Sequence, residues 1–313
     1  MTMLWILLIV VIVVLAVAYI CFRMAFLADR NNETDMMTIG GGEVYKPFQP
    51  QIDAWVRQIR AMDKEEMHIK SFDGLNLYAK YYEYAPGAPI ELMFHGYRGN
   101  AERDLSGGVQ RCFSLGHSAL IVDQRCSGKS DGTVITFGTR EHRDCLAWVD
   151  FAIDHFGTDV KIILTGISMG ASTVLMAAGR ELPRQVVGVL ADCGFTSARA
   201  IIKDVIRNMH LPAGIAYPFV KLAARIFGKF DLDETSALEA VKNCRLPVIF
   251  FHGESDDFVP CHMSRELYEA CPSRKRLVTV PGAAHGLSYP VDQEGYLQAM
   301  REFFAPIYGE VSV

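Results

Sequence analysis

A serine stands in Gly166-Ile167-Ser168-Met169-Gly170, between the apolar run 161–165 and the helix-like stretch 171–178. Strand, G-x-S-x-G, helix is the setting of a nucleophile elbow, a sharp turn that lifts a serine hydroxyl clear of a sheet. Only a very small residue fits on either side of such a turn, which gives Gly166 and Gly170 a steric reason to be there. A serine hydroxyl is a poor nucleophile until a base takes its proton. That base is typically a histidine, oriented by a buried carboxylate. His285 suits the role. It lies in the small-residue loop Pro281-Gly282-Ala283-Ala284-His285-Gly286, after the strand-like Arg276–Val280 and before a terminal helix over Gln293–Phe304.

The acid is sought after the preceding strand, Leu246–Phe251, in His252-Gly253-Glu254-Ser255-Asp256-Asp257-Phe258-Val259-Pro260. Asp256 is the choice and Asp257 the near alternative, while Glu254 stands too close to the strand end. Asp192, which closes the strand 186–191, is a third candidate; its simpler role is to tie down its own loop. An acyl-transfer site also needs two backbone N–H groups aimed at the developing oxyanion. The residue after the nucleophile, Met169, supplies one. The loop His95-Gly96-Tyr97-Arg98-Gly99, after the strand Glu91–Phe94, supplies the other from Tyr97. His95 then reads as a loop brace, and Arg98 as either a pocket residue or a surface charge.

Together with Asp123-Gln124-Arg125-Cys126-Ser127-Gly128-Lys129-Ser130, these segments resemble successive signatures of the alpha/beta-hydrolase superfamily over about residues 65–306. Within it the chain is similar to the bacterial serine aminopeptidase-like and prolyl oligopeptidase-like hydrolases. The resemblance implies the triad order Ser168, Asp256, His285 and the oxyanion donors Tyr97 and Met169. One departure stands out. The family loop reads Asp-x-Arg-Gly-x-Gly-x-Ser, and here Cys126 replaces the first glycine. The same loop ends like a phosphate-binding loop, but that pattern needs glycine where Asp123 stands, so nucleotide binding is set aside. Asp123 and Arg125 are expected to hold the loop together by hydrogen bonds.

Composition is that of an enzyme core: 313 residues, half of them hydrophobic, 21% charged, net charge −5, with no long basic run. Nucleic-acid binding is not expected. The eight cysteines are scattered, with no C-x-x-C pair. Neither a zinc site nor any cofactor is implied, and dispersed cysteines fit a reducing compartment.

The N-terminus is of another kind. Residues 4–22 form an unbroken apolar, uncharged run, long enough to cross a bilayer and without a polar face. Ala16-Val17-Ala18 resembles a signal-peptidase site, but no Lys or Arg precedes the run as a secretory signal requires. Arg23 and Arg30 follow it, which predicts a single-pass anchor with the catalytic domain in the cytoplasm. The expected organisation is an anchor over residues 1–28, a tether over 29–50 and an α/β domain over 51–313.

In that domain a short amphipathic helix, Ile52–Met62, sits at the edge. A hairpin turning at Asp73-Gly74 starts the sheet antiparallel. Strands and helices then alternate as in a doubly wound, mostly parallel sheet, with the elbow helix running Met169–Leu182. Residues 197–243 break the rhythm as a small helical cap over the site, in which Met209, Leu211, Tyr217, Phe219 and Phe227 either line an acyl pocket or pack the cap.

The expected activity is hydrolysis of acyl esters by a membrane-anchored serine hydrolase. A serine peptidase on small peptides and a non-catalytic membrane protein on a hydrolase scaffold are the alternatives. The partners are a small-molecule ester or peptide and the membrane; the sequence leaves the oligomeric state open.

Overall fold

The computed structural model describes residues 2–28 and 42–308. Most of the expected tether, 29–41, lies outside the described residues. Eight strands form one sheet in the order β1-β2-β4-β3-β5-β6-β7-β8. They are β1 Glu65–Lys70, β2 Asn76–Tyr82, β3 Ile90–Phe94, β4 Ser118–Asp123, β5 Ile162–Ile167, β6 Val186–Asp192, β7 Val248–Gly253 and β8 Lys275–Val280. The β1–β2 and β2–β4 pairs are antiparallel and all the others parallel. The first turn is the expected hairpin, with Gly74 at φ +87°.

The central strands are nearly continuous apolar runs, so successive side chains bury both faces of the sheet. On β3, Ile90, Leu92 and Phe94 face the helices α4 (Glu141–Phe156) and α5 (Met169–Ala178), together with α8 (Ala237–Val241) and α9 (His262–Ala270). On the opposite face, Met93 of β3 meets α2 (Gln49–Ala61) and α3 (Ala101–Ser114). Further along that face, Ile163, Leu190, Ile249 and Phe251 lie under α11 (Gln293–Tyr308), which follows the short α10 (Ser288–Val291). α2 is more than an edge helix: Ile52, Trp55, Val56 and Ile59 are buried, and Trp55 stacks on Tyr289 at 5.6 Å. α5 ends four residues before the expected Leu182. Gly179 stops it where the chain closes on α8, since a Cβ there would lie 2.4 Å from the Ala240 carbonyl oxygen.

Residues 197–243 are helical as expected: α6 Ala198–Asn208, α7 Ala213–Ile226 and α8. The N-terminal helix α1, Thr2–Ala25, is 24 residues of almost uniformly apolar sequence. It does not stand apart from the domain. Its last turns pack on α7, and Ala18, Phe22 and Phe26 share a core with Phe137, Phe195, Ile201, Tyr217 and Phe230. Phe227 lies against Tyr19 and Phe22 at 5.3 and 5.8 Å, and Phe26 against Phe230 at 5.3 Å.

Candidate active site

Every parallel strand from β3 onward delivers a loop to one edge of the sheet, which is where this architecture collects functional groups. At the end of β5, Ser168 adopts φ 57°, ψ −119°. A side chain in that region is strained, and the surroundings hold it there. The Ser168 N–H donates to the Asp192 carbonyl at 2.8 Å. A Cβ on Gly166 would fall 2.2 Å from the Gly170 carbonyl carbon, and one on Gly170 would fall 2.0 Å from the Phe94 carbonyl oxygen. Both glycines are therefore dictated by contact with backbone.

His285, in the loop after β8, places Nε2 2.9 Å from Ser168 Oγ and Nδ1 2.7 Å from Asp256 Oδ2. An ionised carboxylate only accepts, so Nδ1 carries the proton and the Nε2 lone pair faces the serine hydroxyl. Burial works against an Asp256 charge. Hydrogen bonds from His252 and His285 and the N–H groups of Phe258 and Val259 outweigh it and hold the carboxyl at about 2. His252 was given no role from sequence. It lies fully buried, with Nε2 2.8 Å from the Val259 carbonyl and 3.2 Å from Asp256 Oδ2, and Nδ1 2.6 Å from Ser264 Oγ.

Of the other acids, Glu254 and Asp192 are engaged elsewhere. Asp257 is exposed. Glu254 accepts from Thr279 Oγ1 at 2.7 Å. Asp192 accepts from Ser288 Oγ at 2.9 Å and from the Tyr296 hydroxyl at 3.1 Å, tying α10 and α11 to the end of β6.

The loop after β3 comes against the serine from the other side: a Cβ on Gly96 would sit 3.5 Å from Ser168 Cβ. Tyr97 follows Gly96, and Met169 opens α5, where the first N–H groups of a helix lack intrahelical partners. His95 is fully buried and braces this loop, with Nδ1 2.8 Å from the Gly96 carbonyl and Nε2 accepting from the Gln124 N–H at 3.0 Å. Asp123 and Arg125 organise the neighbouring loop: Asp123 accepts from the N–H groups of Ala101 and Lys129, and Arg125 is paired with Asp144 and Asp73. Cys126, in the glycine position of the family loop, keeps φ +72°.

A cavity of about 210 Å³ opens on Ser168 and His285, walled by Gly96, Tyr97, Asp104, Ile167, Phe258 and Tyr45. None of Met209, Leu211, Tyr217, Phe219 and Phe227 lines it. Met209 and Leu211 are exposed, Tyr217 is buried in the core shared with α1, and Phe227 packs on α1. Sequence reading missed Tyr45, Asp104 and Phe258. Tyr45 lies in the stretch read as tether, yet its hydroxyl donates to the His285 carbonyl at 3.1 Å; burial first, and then nearby Asp256, push that phenol up to about 12. Among the described residues, Cys193, Asp256 and His285 are the one group of metal-type donors, their atoms within 4.8 Å of one another. Burial holds the Cys193 thiol well above its ordinary range, and the other two are bonded to each other, so hydrogen bonding accounts for the cluster.

The sequence profile of the prolyl oligopeptidase family matches residues 135–310. Protein YqkD of Bacillus subtilis is 25% identical over 296 residues, covering 93% of this chain and 92% of its own. The rat lysophosphatidylserine lipase ABHD12 is 28% identical over 204 residues, 61% of this chain and 47% of that protein. Among solved structures, the Pyrococcus furiosus esterase Pf2001 superposes with a TM-score of 0.65 at 20% identity, covering 85% of this chain and 95% of the esterase. The architecture is the alpha/beta-hydrolase fold.

Proposed function

This chain belongs to the prolyl oligopeptidase family, and from that premise we propose a membrane-anchored serine hydrolase that cleaves acyl esters. The observation that carries the reading is the unbroken relay from Ser168 Oγ through His285 to Asp256, with the serine on a strained elbow. Ser168 attacks the acyl carbonyl as His285 Nε2 takes its proton. Asp256 holds the tautomer and stabilises the imidazolium. The Tyr97 and Met169 N–H groups receive the oxyanion, each worth about a hundredfold or more in turnover. His285 then protonates the departing alcohol, and water cleaves the acyl-enzyme by the same route in reverse.

Esters are favoured because Ile167, Phe258, Tyr45 and Tyr97 give the cavity beside Ser168 an apolar wall, interrupted by Arg103 and Asp104. The rat relative is itself named a lipase. A peptidase is the second reading, and Asp104 is the observation in its favour: its carboxylate lines the cavity where a substrate amine would sit. That carboxylate is already engaged, by Arg103 Nε at 2.6 Å and the Gly96 N–H at 3.2 Å, which leaves ester cleavage ahead.

The anchor is α1. Its last turns, from Ala18 on, are seated in the domain core, which leaves residues 2–17, about 24 Å at 1.5 Å each, to enter the roughly 30 Å of hydrocarbon. Arg23 and Arg30, which follow the apolar run, support a catalytic domain on the cytoplasmic side. Exposed Met209, Leu211 and Ile215 at the corner between α6 and α7 add apolar surface to the cap helix that packs on α1. This supports a cap that faces lipid.

The test is hydrolysis of p-nitrophenyl esters, acetate through long-chain, and of matched anilides by the full chain in detergent beside Ser168→Ala. Ester turnover that disappears in the variant, with anilides much slower, supports the proposal. Anilide cleavage at comparable rates moves the peptidase ahead, and inactivity on both overturns the hydrolase reading.

A further inference from the structure

The last four carbonyls of a helix have no partners within it and must find them elsewhere. At the end of α1 the Phe22 carbonyl accepts from the Phe26 and Leu27 N–H groups, and the next three carbonyls meet the active-site loop. Arg98 Nη2 donates to the Met24 carbonyl at 2.8 Å and to the Leu27 carbonyl at 3.2 Å, and lies 3.5 Å from that of Arg23. The Tyr97 hydroxyl donates to the Ala25 carbonyl at 2.9 Å. The Arg98 guanidinium sits over the Tyr97 ring at 5.1 Å, and its charge complements the negative end of the helix. Arg98 itself holds φ +53°, a region an arginine rarely enters unless its surroundings impose it.

The helix end is itself fixed. Leu27 bridges Val134, the Ala28 N–H donates to the Thr133 carbonyl, and the Ile135 N–H donates to the Phe26 carbonyl. Phe26 is fully buried against Phe137 and Phe230. The Gly96–Gly99 turn, closed by a 3.1 Å bond from the Gly99 N–H to the Gly96 carbonyl, is thus held through its two central side chains by the anchor.

We infer that the C-terminal end of α1 is a working part of the active site: through the side chains of Arg98 and Tyr97 it positions the turn that presents the Tyr97 N–H to the oxyanion. Arg98 is a positioning residue, since its guanidinium binds α1 carbonyls rather than substrate. The inference rests on the serine-hydrolase reading above. Preorganised donors act only where they are held, and a shift of about 1 Å costs up to about a hundredfold.

The experiment compares the full chain in detergent micelles with Arg98→Ala, Arg98→Lys and Tyr97→Phe. It reads kcat and KM on a short p-nitrophenyl ester, the rate at which an alkyl fluorophosphonate labels Ser168, and thermal unfolding. Arg98→Ala is expected to lower kcat and the labelling rate about tenfold or more while KM moves less than about twofold. Arg98→Lys restores part of the rate, because an ammonium still donates to carbonyls, and Tyr97→Phe loses a few-fold, about what one neutral hydrogen bond supplies. Should Arg98→Ala fail to fold, Tyr97→Phe carries the test, since it removes one hydroxyl. Folded variants that turn over and label at wild-type rates overturn the inference. A wild type that labels without cleaving esters removes the ester reading alone, and labelling rates still decide the positioning role. A wild type that does neither overturns both.

Discussion

Asp256 and Asp257 are adjacent in sequence and opposite in circumstance. Asp256 is buried among four hydrogen-bond donors, whereas Asp257 is exposed. Asp256→Asn, which reverses the demand on the His285 tautomer, is expected to cut kcat by about a thousandfold or more, while Asp257→Asn stays within about twofold. Steady-state kinetics on one ester decides it, and a large loss at Asp257 would reverse the assignment. Cys126 invites a different test. At φ +72° any side chain carries strain of about 1 kcal/mol, which glycine relieves. Cys126→Ala keeps the strain and loses the sulfur, so Cys126→Gly is expected to unfold at higher temperature than Cys126→Ala. The reverse order would show that packing outweighs backbone conformation at this site.

Between elements, a buried polar network joins β3 to α3 and β5. Glu91 of β3 is fully buried, bonded to Arg111 of α3, to His117 and to Thr165. Burial alone would raise its carboxyl, but the facing Arg111 and His117 bring it down to about 2. Because the folded value is depressed, this group adds stability above the unfolded carboxylate range near pH 4.3, and that stability is lost as pH falls toward 2. Glu91→Gln leaves the Arg111 charge buried without its partner, a loss of about 3–5 kcal/mol at pH 7. Urea midpoints measured from pH 7 down to 3 are expected to start lower in the variant and fall less steeply than in the wild type. Parallel curves would mean that other carboxylates set the acid limit.

At the scale of the molecule, α1 is long and apolar enough to cross a membrane and is also a core element. Burial of Phe22 and Phe26 is worth about 1.5–3 kcal/mol each, or about 3–6 kcal/mol together. A chain starting at Gly42 loses both and uncovers the apolar surface around Phe137, Tyr217 and Phe230. It is expected to unfold at a lower temperature, to aggregate, and to hydrolyse even water-soluble esters poorly. Full activity and stability in that truncated chain would show that the domain does not need α1.

Local pattern alone determined much of this protein. The two glycines flanking Ser168, the short apolar runs of β3 and β5, the Asp-Gly hairpin and the uncharged N-terminal run each report a conformation or a solvent, and each is readable within a dozen residues. The alternation of strands and helices extends that reading to the sheet. What the tertiary structure alone decided is partnership. Apolar periodicity says that a face is buried but not against what, and a helix apolar all round, like α1, has no periodicity from which a docking face could be read. Hence the seat of α1 on α7, the Arg98 contacts with its terminal carbonyls, and the placement of Tyr45 on the His285 loop emerge only in three dimensions. In each, the sequence separation of the partners exceeds 70 residues, and the pairing energy comes from surfaces that the fold must first bring together.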